Sequence, residues 1–307
     1  MFTPTRLALA TVLSLAFTPL AAQDLLKGFA AYDTGDYVTA LQEWTPLADQ
    51  GDADAQFMLG AMYALGQGVP RDDAEAVRWY RLAAEQGNAP AQFNLGIMYR
   101  IGEGVPQDDA EALKWYRLAA EQGNARAQSD LGLMYYLGQG VPRDYAEAVR
   151  WYRLAAEQGL ADAQFMLGAI YYEGQGIPQD YAEAMKWYRL AAEQGHASAQ
   201  YQLGSMYNQG NGVPQDDAES AKWYRLAAEQ GNSYAQNQLG LMYDYGVGVL
   251  QDNVMAHMWY NVASANGRDT AGEKRGELVG EMTPADISTA QAMARECMSS
   301  GYEKCGY

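Results

Sequence analysis

At 307 residues with a net charge of −17, the chain has the wrong electrostatics for nucleic acid or an anionic membrane surface. Its two cysteines and two histidines leave no residue set for a metal centre, and no cofactor motif is present. Acidity of this size reads as a solubility device.

The first 22 residues read as a removable address. MFTPTRLALATVLSLAFTPLAAQ carries one basic residue, Arg6, an apolar run from Leu7 to Phe17, and small residues at Ala21 and Ala22. That run is too short to cross a bilayer as a helix and matches a secretory signal peptide cut near Ala22. No cysteine stands at the cut, so no lipid anchor is expected. No later segment reads as a transmembrane helix, which predicts a soluble chain, periplasmic or secreted.

Residues 23–50 read as an N-terminal capping half-repeat, with Ala40 in the place of Ala76 and Trp44 in the place of Tyr80. Six units then follow at a step of 36 residues: 51–86, 87–122, 123–158, 159–194, 195–230 and 231–266. Such a period signals a solenoid or a propeller. In the first unit, Ala53 to Leu65 has amphipathic helical spacing, GQGVP interrupts it, and Asp72 and Asp73 offer an N-cap and favourable charge to a second helix, Ala74 to Gln86. The next unit's Gly87 is placed to stop that helix. Strand alternation is absent, which removes the propeller.

After Gly267 two further helices are expected, about Asp269 to Met282 and Pro284 to Met298. Thr283 supplies an N-cap, Pro284 fits the first helical position, and Asp286 completes a capping-box-like spacing. Residues 267–307 thus form a C-terminal cap, and Cys297 with Cys305 is expected to close one disulfide in an exported protein. Divergent ends suit an array whose terminal units must face water.

The pattern A-x-A-Q-x-x-L-G-x-x-Y-x-x-G-x-G-V-x-x-D, then A-x-x-W-Y-x-x-A-A-x-x-G, resembles the Sel-like repeat, a relative of the tetratricopeptide repeat. The matching residues are Ala53, Ala55, Gln56, Leu59, Gly60, Tyr63, Gly66, Gly68, Val69 and Asp72, then Ala76, Trp79, Tyr80, Ala83, Ala84 and Gly87. The sixth unit departs at Leu250 and Ser264. The resemblance implies an all-α, right-handed α/α superhelical solenoid. It also implies a scaffold that binds other proteins; bacterial members similar to it include periplasmic ones that regulate envelope signalling or assemble envelope and polysaccharide machinery.

Comparing the six units with each other separates two faces of the first helix. Ala55, Leu59, Met62, Tyr63 and Gly66 barely change between copies and share one side. The other side varies: Met58, Asn94, Asp130, Met166, Gln202 and Gln238 form one column, and Ala64, Arg100, Tyr136, Tyr172, Asn208 and Asp244 another. Phe57, Phe93, Phe165 and Tyr201 lie at its edge. In helical-pair solenoids the first helices line a concave groove suited to a peptide or a partner helix. The candidate partner-binding residues are therefore Phe57, Met58, Phe93, Asn94, Arg100, Asp130, Tyr136, Met166, Tyr172, Tyr201, Gln202, Asn208, Gln238 and Asp244. On the second helix, Ala76, Trp79, Tyr80 and Ala83 follow the spacing of a buried stripe. Six tryptophans, Trp79 to Trp259, share that slot, and Gly60 with its equivalents is expected to mark close backbone approach between helices.

Nothing in the chain resembles a catalytic set. His196 falls in a turn between units and His257 on a second helix, and neither has a partner set by spacing. No serine is followed three residues later by lysine, and the glycine loops lack a GK[ST] sequel. The expectation is a non-enzymatic exported scaffold with a protein or peptide partner, no nucleic acid, no membrane insertion and no cofactor. Two other readings stay open: an envelope enzyme of the β-lactam-hydrolysing or cell-wall-acting kind, and a broad chaperone-like binder.

Overall fold

The structure, a computed structural model, describes residues 19–305, with side chains from residue 23 onward. The expected signal peptide lies outside the described residues up to position 18, and the expected cut near Ala22 falls within the first helix. Among the described residues every regular element is helical. The chain divides into two compact units, Met1–Ala119 and Ala120–Tyr307.

In the first unit, α1 (Pro19–Asp33) pairs with α2 (Tyr37–Asp49), α3 (Ala53–Leu65) pairs with α4 (Asp73–Glu85), and α5 (Ala89–Ile101) precedes α6 (Asp109–Glu121), which runs up to the division. The second unit carries four more pairs: α7 (Ala125–Leu137) with α8 (Tyr145–Glu157), α9 (Ala161–Glu173) with α10 (Tyr181–Glu193), α11 (Ala197–Gln209) with α12 (Asp217–Ala228), and α13 (Ser233–Tyr245) with α14 (Asn253–Ala265). Against α14 pack α15 (Asp269–Leu278) and α16 (Pro284–Ser299). Within each unit one pair packs on the next, as α4 does on α5 and α8 on α9, which is the solenoid arrangement.

Each helix begins and ends where its sequence supplies the missing hydrogen bonds. Asp52 accepts from the Ala55 amide at 2.8 Å, and Asn88, Asn124, His196 and Asn232 cap the equivalent helices the same way. Leu160, at the head of α9, makes no such bond. Asp72 accepts from the amides of Ala74 and Glu75 at 3.0 Å, opening α4. A cap of this kind contributes about 0.5–2 kcal/mol. Gly66 ends α3 with φ of 67°, so it serves as a left-handed cap, whereas the sequence placed it on the invariant packing face. Gly104, the second glycine of the loop after α5, has another constraint. A Cβ there would stand 2.1 Å from the Asp73 carbonyl oxygen, because the loop lies on the start of the preceding repeat's second helix.

The core is layered. Tyr80 and Ala76 from one repeat pack with Ala91, Leu95, Met98 and Trp115 of the following one. Tyr63 is only partly buried, although its carbonyl accepts the Asp72 amide at 3.0 Å. Gly60 faces the Tyr80 ring: a Cβ would meet its Cδ1 at 2.6 Å. The close approach expected at this glycine is thus made by a side-chain ring instead of a neighbouring backbone. The same pairing recurs at Gly96–Tyr116, Gly132–Tyr152, Gly168–Tyr188, Gly204–Tyr224 and Gly240–Tyr260. Gly28 stands equally close to Trp44, which puts Trp44 in the tyrosine's register. The tryptophan slot is buried except at Trp223, which is half-buried.

Polar groups complete the joint between repeats. Buried Gln56 donates its amide to the Ala48 carbonyl at 3.0 Å and accepts from Gln86 at 2.7 Å. Gln164 does the same with Ala156 and Gln194, and Gln200 with Ala192 and Gln230. In the last copy Asn266 replaces the donor and reaches Gln236 at 2.9 Å. The arginine of YRLAAEQG reaches the next first helix: Arg81 donates to the Tyr99 hydroxyl at 2.6 Å, Arg189 to Tyr207 at 2.7 Å and Arg225 to Tyr243 at 2.8 Å.

The C-terminal cap departs from expectation in one helix. The segment expected to run to Met282 leaves α-helix at Leu278 and tightens into a 3-10 turn, Val279–Glu281. Thr283 caps α16 by accepting from the Asp286 amide at 3.2 Å. Cys297 and Cys305 are joined by a disulfide. The loop it closes presents Tyr302, whose hydroxyl donates to Asn266 at 3.0 Å, so the cap ties into the last joint.

Candidate partner-binding face

The varying side of the first helices presents partly buried side chains in both units. In the first unit these are Phe57, Met58, Phe93, Asn94 and Arg100. In the second they are Asp130, Tyr136, Met166, Tyr172, Tyr201, Gln202, Asn208, Gln238 and Asp244. Partial exposure follows from the helical period: with the alanine, leucine and methionine stripe turned inward, residues one or two positions away flank the core edge.

The edge aromatics have a packing duty. Phe57 lies 5.9 Å from Tyr80 and Phe93 5.7 Å from Tyr116, centroid to centroid; Phe165 and Tyr201 cover Tyr188 and Tyr224 likewise. Phe165 also stacks on His196 at 4.7 Å. Beneath them burial raises the tyrosine hydroxyls. Tyr80 is pushed up to about 12 chiefly by burial, with a hydrogen bond from Asn94 acting against it.

Several of the candidate polar residues serve their own chain. Asp244 accepts from the Tyr260 hydroxyl at 3.0 Å, and burial followed by this bond raises Tyr260. Asn208 donates to Asp217 at 3.0 Å. Those contacts shorten the set available to a partner. Beside Asn94, the first unit holds a recess of about 350 Å³ whose lining includes Leu65, Arg71, Tyr80, Ile97 and Glu103. Arg71 and Glu103 stand 3.4 Å apart there, giving the recess an ion pair beside apolar walls.

Repeats three and four differ from the rest at the head of the second helix. Where repeats one, two and five carry Asp73, Asp109 and Asp217 and repeat six carries Asn253, these carry Tyr145 and Tyr181. Each packs on a candidate residue: Tyr136 with Tyr145 at 5.4 Å and Tyr172 with Tyr181 at 5.1 Å. The sequence reading treated this column as capping charge and missed both tyrosines. The signal was there, as an aromatic residue in two adjacent copies of an otherwise polar column.

The histidines do not assemble a catalytic or metal set. His196 caps α11 and its Nε2 lies 3.3 Å from Asp162. His257 is buried, and burial, with nearby Arg275, lowers its pKa below the usual histidine value. Among the described residues no group of three or more histidine, cysteine, aspartate and glutamate side chains could hold a metal. No helix among them is long and apolar enough to cross a membrane.

Comparison with known proteins matches these repeats one by one. The Sel1 repeat model matches residues 53–88, 89–124, 125–160, 161–196, 197–232 and 233–267. A protective antigen present in uropathogenic Escherichia coli strains and displaying an SLR fold is 41% identical, with a TM-score of 0.78. The match covers 85% of this chain and 56% of that one, so the chain spans little more than half of this relative's length. A Sel1 repeat protein from Oxalobacter formigenes is 36% identical over 78% of this chain and 96% of its own, with a TM-score of 0.70. No curated protein gives a significant match.

Proposed function

Because the chain belongs to the Sel1 repeat family, a solenoid fold that generally serves protein–protein interaction, we propose that it is an exported scaffold that holds a protein or peptide partner on the varying face of its first helices. The observation that carries this reading is the contrast between copies. The joint keeps the same glycine, tyrosine and glutamine in every repeat, while the adjoining helix face changes its chemistry from one repeat to the next. Recognition needs distinct side chains at distinct places, and aromatic residues with methionine favour interface centres.

The signal-like residues 1–22 support export, and the envelope is the setting in which such a scaffold would regulate signalling or assemble polysaccharide machinery. Binding requires no bond to be made or broken.

Chemical crosslinking in cell-envelope extract, with the native face and with a Phe57→Ser, Phe93→Ser variant, tests the reading. One or two dominant partners that the variant loses are expected. A broad smear would favour the chaperone-like alternative, and partners unaffected by the variant would remove the face assignment. Turnover of a chromogenic β-lactam or of purified peptidoglycan above background would replace the scaffold by an enzyme.

A further inference from the structure

The tyrosines of repeats three and four form a local cluster with its own chemistry. Tyr136 and Tyr145 meet edge to face, and Tyr172 and Tyr181 meet at a tilt, all four partly buried with some surface open. Glu173, the last residue of α9, is exposed and its charge is felt at Tyr136, on the neighbouring repeat. Gln175 donates to that carboxylate at 2.5 Å. The cluster therefore offers ring faces and one carboxylate.

Ring faces attract cations, above all where a carboxylate stands nearby. The chain supplies its own illustration: the Arg143 guanidinium stands 5.3 Å over the Tyr145 ring. In the next repeat the residue two before Tyr181 is Gln179, and its amide is spent on the Tyr172 carbonyl at 2.7 Å. A net charge of −17 draws a basic partner to the surface from a distance.

We infer that the cluster of Tyr136, Tyr145, Tyr172 and Tyr181 with Glu173 takes the arginine or lysine side chains of an extended basic segment of a partner protein. This rests on the proposed scaffold reading and names the partner's chemistry. The guanidinium lies on the open ring faces of the cluster, and Glu173 is its counter-ion.

The test is fluorescence anisotropy of the purified chain with a labelled nonapeptide holding three arginines between glycines and serines, beside the same peptide with citrulline. Citrulline keeps the shape and removes the charge. The arginine peptide is expected to bind at least about tenfold more tightly, and to weaken as salt screens the pair. Glu173→Gln and Tyr172→Leu are each expected to weaken it about threefold to tenfold. Equal binding of the two peptides overturns the inference, as does binding indifferent to Glu173→Gln. Should Tyr172→Leu impair folding, the exposed Glu173 variant still decides. If a crosslinked partner depends on Phe57 and Phe93 while the arginine peptide fails, the inference falls and the scaffold reading stands; if neither binds, both fall.

Discussion

Tyr172 and Tyr188 lie in the same repeat with ring centroids 6.5 Å apart, yet they belong to different regimes. Tyr188 is 1% exposed, fills the hollow left by Gly168, and has a counterpart in every copy. Tyr172 is partly open to solvent and its column reads alanine, arginine, tyrosine, tyrosine, asparagine, aspartate. One ring is held by what the fold requires of all repeats, the other by something only some of them do. Agreement between copies follows the packing; disagreement follows the face the packing leaves open.

The contrast breaks most sharply in the joint. Trp151→Ala is expected to cost about 3–5 kcal/mol in urea unfolding, as for other buried aromatic truncations. A loss below about 1 kcal/mol would place that tryptophan outside the core. Alkali probes the tyrosines directly. Burial raises Tyr80 from 10.0 to about 12 and raises Tyr152, Tyr188, Tyr224 and Tyr260 in the same direction. The unfolded chain ionises these phenols first, so their contribution is whole below pH 10 and is lost as pH climbs toward 12 and beyond. For Tyr80 alone the loss is roughly 2–3 kcal/mol. Absorbance of phenolate that rises in step with unfolding checks this; phenolate formed on a still-folded chain near pH 10 would contradict it.

Smaller effects test the two faces against each other. Gly168→Ala puts a methyl about 2.7 Å from the Tyr188 ring and is expected to cost about 1–3 kcal/mol by thermal or denaturant unfolding. Gln202→Ala, on the varying face, is expected to change stability by no more than about 0.5 kcal/mol while altering partner binding. Equal destabilisation by the two would erase the distinction. Tyr172→Leu falls between them, since its hydroxyl accepts from Asn211 at 3.1 Å and its ring packs on Tyr181.

The repeat architecture was legible because period, caps and aromatic stripe all act within a few residues of each other. Helix ends followed from the GQGVP loop, Asp72 and Gly87, whereas Asp52 was not read as a cap and Gly66 was placed on the packing face. The glutamine joint was not legible. Gln56 finds its partners 8 and 30 residues away, at distances no helical period links, and an invariant polar residue inside an apolar stripe invites no obvious role. The varying columns that make up the proposed binding face were legible by comparing the copies. Which of its members are already engaged, as Asn208 and Asp244 are, depends on side-chain reach across helices. Tyr145 and Tyr181 escaped for a related reason: they sit in a column read only as helix-start charge from Asp73.

The glutamine pair has one consequence for how such a chain can change length. Gln164 reaches back 8 residues for its acceptor and is met by Gln194 from 30 residues ahead, and Gln200 repeats the arrangement one step on. Excising one whole period leaves every amide facing a copy of its former partner, whereas a cut of any other size strands them. The molecule can therefore grow or shrink as a strip of identical tiles does. Its length is set by counting, and only the open face of each tile is free to differ.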